Sequence, residues 1–224
     1  MRILGLLACC LVLCGCGNHS ASRPDPERTS APETAPAAKP PDNRPVIVAF
    51  GDSLTAGFGA DPGKSYPDFL QQELDRRGLR YHVVNAGISG ETTTDALARL
   101  DTVTAIHPVA VILEFGGNDG LRGLPIATTR SNMEQLITAL KQSGTEVLLA
   151  GMTLPPNYGP EYIGAFQRIY IDLAAKYKVA LMPFLLEGVA GTSRMQRDGL
   201  HATAEGNRIV AANVFRYLRP LLRH

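Results

Sequence analysis

The sequence predicts an α/β fold in which a parallel sheet of five strands carries helices on both faces. From Pro45 onwards, short apolar runs alternate with longer segments whose apolar residues recur at helical spacing. The runs are apolar at nearly every position, as in strands that are buried on both faces. Repeated strand–helix–strand order favours parallel pairing, with helices on either side of the sheet. The 224 residues, 45% of them hydrophobic, suffice for one sizeable core.

The first strand is predicted from a continuous apolar run, and the first helix from its capping residues and an apolar stripe. Val46–Phe50 is a continuous apolar run and is predicted to be a strand. A helix is predicted to begin at Ser65 or Tyr66, because a capping residue is followed by Pro67, which suits the first turn. Gly78 is predicted to end this helix. The apolar stripe of the helix consists of Phe69, Leu70 and Leu74.

The middle of the chain continues the alternation. Tyr81–Val84 is predicted to be the second strand, and Thr92–Ile106 a single helix with apolar residues on one side. The pair His107-Pro108 stops this helix, because proline cannot continue it. Val109–Phe115 is the third predicted strand and the clearest of the five.

The C-terminal half supplies two more strands and three more helices. Amphipathic spacing predicts helices over Pro125–Gln142, Glu161–Lys178 and Ala204–Leu218. Short apolar runs between them predict strands over Val147–Ala150 and Val179–Met182. The five strands therefore follow one another with a helical segment in each connection, as a parallel sheet requires.

Residues 1–16 are predicted to form a secretory signal sequence that ends in a lipidation site. Arg2 gives a positive start, and Ile3–Leu13 has the length of a signal-peptide core but is too short to span a bilayer. Leu13-Cys14-Gly15-Cys16 resembles a bacterial lipobox, in which Cys16 would carry the lipid. The alternative is an ordinary signal peptide that is cut nearby. All four cysteines lie in this segment, which excludes a disulfide framework or a thiolate zinc site elsewhere.

Residues 17–44 are predicted to be a disordered tether, and residues 45–224 a single folded domain. The tether is rich in proline, alanine, serine and threonine and lacks periodic apolar positions, so it cannot bury enough surface to offset its ordering entropy. The expected location is the bacterial cell envelope, with a lipid anchor in a membrane and the domain facing the periplasm or exterior. The net charge of +1 indicates no nucleic-acid partner.

Four polar residues that are far apart in sequence stand where apolar runs end or the last helix begins: Ser53, Asn118, Asp198 and His201. The carboxyl ends of parallel strands meet at one edge of a sheet, so these side chains are expected to share a crevice. Asp198 precedes His201 by three positions, a spacing that can bring its carboxylate to the imidazole Nδ1–H. Together they supply the groups needed for hydrolysis through a serine nucleophile.

Each of these residues also has a simpler interpretation when taken alone. Ser53 could form a turn or cap a helix, Asn118 could make a turn through its own side chain, and Asp198-Gly199 could be a plain turn. Two nucleotide-binding alternatives fail. A dinucleotide loop would need its third glycine at Pro62, and a phosphate-binding loop would need glycine at Phe58. The joint occurrence of the four residues in a compatible order favours the hydrolytic interpretation.

The motifs around these residues resemble those of the SGNH, or GDSL, hydrolase family over Pro45–Leu222. The resemblance is greatest to the bacterial branch that contains arylesterases, acyl-CoA thioesterase I and lysophospholipase L1. Four ordered blocks make the resemblance specific. The blocks are Gly51-Asp52-Ser53-Leu54-Thr55-Ala56-Gly57, Asn85-Ala86-Gly87-Ile88-Ser89-Gly90-Glu91-Thr92-Thr93, Gly116-Gly117-Asn118-Asp119 and Asp198-Gly199-Leu200-His201.

The resemblance implies a flavodoxin-like three-layer α/β/α sandwich and a role for each site residue. Ser53 would be the nucleophile, His201 the base and Asp198 the residue that orients it. The oxyanion would be bound by the backbone amides of Ser53 and Gly90 and by the side chain of Asn118. One departure is Ala202, which stands where the family usually has proline and could loosen His201 slightly; Thr203 could cap the last helix instead.

The expected function is hydrolysis of carboxylic esters and thioesters, including lysophospholipids, with neither a metal nor an organic cofactor. The loop after the fourth strand is expected to border the acyl site, with Tyr158 and Tyr162 against the substrate and Phe166 either there or in the core. Two alternatives stay open from the sequence. One is a carbohydrate-ester deacetylase, and the other is a surface-anchored binding module with a vestigial site.

Overall fold

The computed structural model describes residues 42–222. The predicted signal sequence, the predicted lipidation site at Cys16 and all but the last three residues of the predicted tether lie outside the described residues. Within residues 42–222, no helix combines the length and the apolar character needed to cross a membrane.

A five-stranded parallel sheet forms the centre of the domain, as the sequence predicts. Its strand order is β2-β1-β3-β4-β5. The apolar runs become the most buried parts of the sheet, and β1 and β3, which lie inside it, have almost no exposed side-chain surface. The strands are β1 (Val46–Gly51), β2 (His82–Gly87), β3 (Ala110–Glu114), β4 (Glu146–Ala150) and β5 (Ala180–Met182).

Helices cover both faces of this sheet and complete the three layers. The chain moves from β1 to β2 in one direction, and from β2 through β3 and β4 to β5 in the other. Right-handed crossovers therefore place α2 on the face opposite to α3, α6 and α7, and α8 packs against α2. The α-helices are α1 (Ser53–Ala56), α2 (Tyr66–Arg76), α3 (Thr93–Ala98), α4 (Leu100–Thr104), α5 (Gly117–Leu121), α6 (Ile126–Gln142), α7 (Pro160–Tyr177) and α8 (Ala204–Leu218).

The cap residues set the starts of two helices as the sequence predicts. Ser65 caps α2 in a reciprocal capping box with Asp68, and Pro67 stands in the first turn. Thr203 caps α8, where its hydroxyl accepts a hydrogen bond from the backbone N–H of Gly206.

The second strand is longer than predicted. It continues through Asn85-Ala86-Gly87, beyond the predicted end at Val84, and pairs with β1 as far as Gly51. The local composition is typical of a turn, but pairing with the neighbouring strand overrides it. A side chain at Gly87 would collide with the backbone of Ala56, so this glycine lets the end of β2 lie directly against α1.

The predicted helix Thr92–Ile106 is wrong as a single element, because it is interrupted at Arg99. Arg99 has a φ of −120° and separates α3 from α4. Its guanidinium donates to the carbonyls of Gly51 and Ala86 and pairs with Glu91. It also lies over the ring of Phe50. The break thus coincides with a side chain that ties the helical segment to the end of the sheet.

Candidate active site

Ser53 and Asn118 both lie at the carboxyl edge of the sheet, but in short helices. Ser53 is the first residue of α1, which follows β1. Asn118 lies in the first turn of α5, beyond the end of β3 at Glu114, and not at the strand end itself. Each short helix turns the chain immediately after a buried strand, so its first residues face the crevice above the sheet.

Close packing below Ser53 fixes the position of α1. A Cβ atom at Gly51 would lie 2.1 Å from Thr55 Oγ1 and 2.4 Å from Glu114 Oε2, so only glycine fits there. Asp52 caps the helix, since its Oδ1 accepts a hydrogen bond of 3.0 Å from Leu54 N–H. The turn that presents Ser53 is therefore specified by the residues on either side of it in the sequence motif.

The structure brings together the three side chains that the sequence analysis assigned to the nucleophile, the base and the orienting acid. His201 Nε2 lies 2.9 Å from Ser53 Oγ. On the other side of the ring, His201 Nδ1 lies 2.6 Å from Asp198 Oδ2. With Nδ1 protonated and bonded to the carboxylate, Nε2 is available to accept the hydroxyl proton of Ser53.

Asp198 also organises the turn that leads to His201. Its Oδ1 accepts hydrogen bonds from the backbone N–H groups of Leu200 and His201. Burial would raise the pKa of Asp198, but the hydrogen bonds from His201 and Leu200 outweigh it and lower that pKa to about 2. Asp198 is therefore an anion at neutral pH.

Ala202, which stands where proline is usual, lies between two residues whose backbone groups are hydrogen-bonded. His201 O accepts a 2.7 Å hydrogen bond from Gln196 N–H, and Thr203 N–H donates a 2.7 Å bond to Arg194 O. These bonds form an isolated antiparallel bridge between Met195 and Ala202. Backbone pairing thus restrains the segment after His201 where a proline ring would otherwise stiffen it.

The groups expected to bind an oxyanion lie around the same crevice. As the first residue of α1, Ser53 has a backbone N–H without a partner inside the helix. Gly90 lines the crevice with a φ of +85°, a conformation that favours glycine. Asn118 Nδ2 donates to Asp52 Oδ2 at 3.0 Å and to Glu91 O at 2.9 Å, so binding an oxyanion would require it to share one of these hydrogens.

A buried pair of acids, Asp52 and Glu114, lies directly beneath this region. The Oε2 of Glu114 accepts hydrogen bonds from Asp52 N–H and from Thr55 Oγ1. Burial and the neighbouring charge of Asp52 raise the pKa of Glu114 well above its usual range, and burial raises the pKa of Asp52 to about 6. We infer that Glu114 holds the proton in the folded protein.

A cavity of about 780 Å³ opens beside Ser53 and His201. Its wall is largely apolar and includes parts of the loops after β1, β4 and β5. The apolar residues of the wall are Leu54, Phe58, Leu121, Met152, Leu154, Pro155, Pro156, Phe184, Leu186, Ala190, Met195 and Leu200. A cavity of this size and composition suits the burial of an apolar chain or ring.

Tyr158 and Tyr162, which the sequence analysis placed against the substrate, are not among the residues that line this cavity. Their hydroxyls are directed to the end of α5 and the segment after it, where Tyr158 donates to Leu121 O and Tyr162 to Leu124 O. Phe166 is fully buried in the core. The predicted loop does border the cavity, but through Leu154 and the two prolines that follow it.

Known proteins resemble this chain in sequence and in fold. The GDSL-like lipase/acylhydrolase family matches residues 49–209. Esterase TesA of Pseudomonas aeruginosa is 44% identical over 179 residues, which cover 79% of this chain and 89% of that protein. Thioesterase 1/protease 1/lysophospholipase L1 of Escherichia coli K12 is 37% identical over 181 residues, or 80% of this chain and 86% of that protein. A crystal structure of TesA superposes with a TM-score of 0.77 at 44% identity, covering 79% of this chain and 99% of that one.

The chain belongs to the GDSL-like lipase/acylhydrolase family. It is accordingly a carboxylic ester hydrolase, and its three-layer fold is that of SGNH hydrolases. The resemblance stated from the four sequence blocks is thereby confirmed.

Glu114→Gln is expected to change how the free energy of unfolding depends on pH. The folded protein keeps the Glu114 proton, whereas the unfolded chain releases it above the ordinary pKa of 4.5. Because the pKa of Glu114 is higher in the folded protein, the stabilisation from its proton is complete below pH 4.5, the ordinary pKa. It is lost as the pH rises from there through the pKa of the folded state. The excess stability of the wild type over the variant should therefore decrease as the pH is raised above 4.5, as measured by urea denaturation.

The control for this experiment is Glu161→Gln, which changes an exposed glutamate in α7. Its difference from the wild type should stay constant over the same pH range. A constant difference for Glu114→Gln as well would mean that Glu114 is already ionised in the folded protein.

Proposed function

We propose that this enzyme hydrolyses carboxylic esters and thioesters through Ser53 as nucleophile, His201 as general base and Asp198 as the residue that orients the imidazole. The observation that carries the proposal is the 2.9 Å contact between His201 Nε2 and Ser53 Oγ at the edge of an apolar cavity. A nucleophile and a base within hydrogen-bond distance, with the base held by a third group, form the arrangement that activates a serine hydroxyl.

In the acylation step, Ser53 Oγ attacks the carbonyl carbon while its proton passes to His201 Nε2. The imidazolium that results is stabilised by the carboxylate of Asp198. Collapse of the tetrahedral intermediate breaks the bond to the alcohol or thiol, and His201 returns the proton to that leaving group. The acyl group stays on Ser53 Oγ as an ester.

In the deacylation step, a water molecule takes the place of the leaving group next to His201. His201 removes one of its protons as the water oxygen attacks the acyl carbon. The second intermediate collapses, its bond to Ser53 Oγ breaks, and the proton returns to Ser53. The products are the free carboxylic acid and the original enzyme.

The negative charge of both intermediates is expected to be held by the backbone N–H groups of Ser53 and Gly90 and by Asn118 Nδ2. Preorganised donors of this kind stabilise the transition state because they need no reorientation when the charge develops. Asn118 is oriented by Asp52 and by the carbonyl of Glu91. It would share with the oxyanion a hydrogen that these two acceptors now receive.

The proposed substrates are esters and thioesters with an apolar acyl group, and lysophospholipids among them. The apolar lining of the cavity supports this class, and so does the name of the Escherichia coli relative, thioesterase 1/protease 1/lysophospholipase L1. The same lining offers few polar groups for a sugar, so it favours an acyl substrate over the carbohydrate esters considered from the sequence.

We also propose that the enzyme is exported and attached to a membrane of the cell envelope through Cys16. The support for this proposal is the sequence alone, in which a short signal-like apolar stretch ends in Leu13-Cys14-Gly15-Cys16. Residues 17–44 would then be a flexible connection between the anchor and the domain.

Ser53→Ala should reduce turnover of both p-nitrophenyl butyrate and an acyl-CoA thioester by on the order of 10⁴–10⁶-fold, because no other group can accept the acyl chain. An organophosphonate should label Ser53 in the wild type, which mass spectrometry of peptides can locate. Ser131→Ala, which changes an exposed serine of α6, is the control. Retention of most activity in Ser53→Ala would exclude the proposed nucleophile.

Asn118→Ala should lower kcat by about 10²–10³-fold, which corresponds to about 2.7–4 kcal/mol of transition-state stabilisation from one oxyanion donor. Asn213→Ala is a matched control, because Asn213 also donates through Nδ2 to a backbone carbonyl, that of Glu187, but on the surface. A change of less than about threefold in Asn118→Ala would remove Asn118 from the proposed oxyanion site.

Cys16→Ala should abolish metabolic labelling by palmitate and release the enzyme from the membrane fraction. Cys14→Ala serves as the control, because Cys14 lies inside the proposed recognition sequence but would not carry the lipid. Unchanged labelling of Cys16→Ala would rule out the anchor and leave an ordinary signal peptide as the remaining interpretation.

A further inference from the structure

Gln196 connects the two parts of the chain that carry Ser53 and His201. We propose that it is a positioning residue that sets the separation of Ser53 Oγ and His201 Nε2. This inference rests on the proposed roles of those two residues. Gln196 itself does not line the cavity, so its effect would be exerted through its neighbours.

The backbone of Gln196 closes the turn that presents Asp198 and His201. Its N–H donates to His201 O at 2.7 Å, and its carbonyl accepts from Gly199 N–H at 3.0 Å. Residues from 196 to 201 therefore form a small loop that is fastened at both ends by this one residue. Movement of Gln196 would carry the imidazole with it.

The side chain of Gln196 reaches from this loop to the segment after α1. Its Nε2 donates to Phe58 O at 2.7 Å and to Ala202 O at 3.0 Å. The bond to Phe58 joins residues that are 138 positions apart in sequence. One amide group thus binds both a carbonyl next to His201 and a carbonyl next to α1.

A continuous chain of hydrogen bonds leads from the proposed nucleophile to the proposed base through Gln196. Phe58 N–H donates to Ser53 O at 3.0 Å, and Phe58 O accepts from Gln196 Nε2. Gln196 N–H then donates to His201 O. The backbone positions of Ser53 and His201 are therefore related by one intervening side chain.

The contact between Gln196 and the Phe58 segment is so close that a side chain at Gly59 would collide with the Gln196 amide. A Cβ atom at Gly59 would lie 2.3 Å from Gln196 Oε1, so the amide lies directly against this glycine, whose φ is +72°. The ring of Phe58 packs at a tilt on the His201 ring, with centroids 4.7 Å apart. The segment held by Gln196 thus also limits rotation of the imidazole.

A second side-chain hydrogen bond joins the segment after α1 to the C-terminal part of the domain, but at α8 and not at the loop of residues 196–201. Asn207 Nδ2 in α8 donates to Lys64 O, just before α2, at 2.9 Å. This bond, together with the packing of α2 on α8, holds the framework. It does not reach the loop from 196 to 201. Loss of the Gln196 amide should therefore leave the fold intact and allow the loop to move relative to Ser53.

Gln196→Met keeps the length of the side chain and removes the donor, while Gln196→Glu puts an acceptor opposite two carbonyls. Because a misplacement of about 1 Å can cost about 10²-fold in rate, kcat is expected to fall by about 10–100-fold in Gln196→Met and further in Gln196→Glu. KM should change much less than kcat, because Gln196 itself does not line the cavity. The rate of Ser53 labelling by an organophosphonate should fall in parallel with kcat.

The measurements are made on the full-length chain, with Tm recorded for every variant. Gln135→Met is the matched control, because Gln135 Nε2 also donates to a backbone carbonyl, that of Ser131, within α6. Ser53→Ala separates the two proposals: activity in that variant would refute the proposed function itself. If Ser53→Ala is inactive while folded Gln196→Met and Gln196→Glu keep wild-type kcat and labelling rate, the positioning role is refuted alone.

Gln196→Asn covers the case in which neither of those variants folds. It keeps the amide but is one methylene shorter, so it cannot reach both carbonyls. A folded Gln196→Asn with reduced kcat, reduced labelling and nearly unchanged KM supports the proposal. A wild-type kcat in that variant overturns it, and so does a rise in KM without loss of kcat, because either result separates Gln196 from the alignment of Ser53 and His201.

Discussion

The hydrogen bond between His201 Nε2 and Ser53 Oγ joins residues that are 148 positions apart, and the rest of the domain determines whether it can form. Two side chains so distant in sequence meet only if the strand before one and the helix after the other are fixed in register. The parallel sheet provides this, because β1, which lies between β2 and β3, delivers Ser53 to the carboxyl edge while α8 packs on α2. The packing that stabilises the fold therefore also sets the distance between Ser53 and His201.

The packing below Ser53 requires glycine at two positions and buries two acidic side chains. Gly51 and Gly87 leave space that Thr55, Ala56 and Glu114 fill, so the turn into α1 tolerates no side chain at either glycine. Asp52 and Glu114 are buried together, which is unfavourable unless one of them is protonated. In return, Asp52 both caps α1 and holds the amide of Asn118. The buried carboxylate of Asp52 therefore links the start of α1 to the side chain of Asn118.

The sequence predicted the parts of the fold that depend on local pattern. Continuous apolar runs located the strands, and Ser65 and Thr203 located two helix starts, because burial and capping are visible in short stretches. The end of β2 and the interruption at Arg99 depend on contacts with β1, which no local pattern contains. Glu114 could have been singled out as a charge within the run Val109–Phe115. The placement of Tyr158 and Tyr162 away from the cavity depends on how a loop folds back on α5, and the contacts of Gln196 depend on two distant segments.

The strand order has a consequence for how such an enzyme can diversify. Connections leave β1 and β3 in opposite directions, so the groove above them exists because of the topology and not because of any particular loop. The loop that begins at Leu154 contributes to the cavity wall without contacting Ser53 or His201 through the hydrogen bonds described above. Insertions or substitutions there can be selected for new acyl groups while the reactive centre is inherited unchanged.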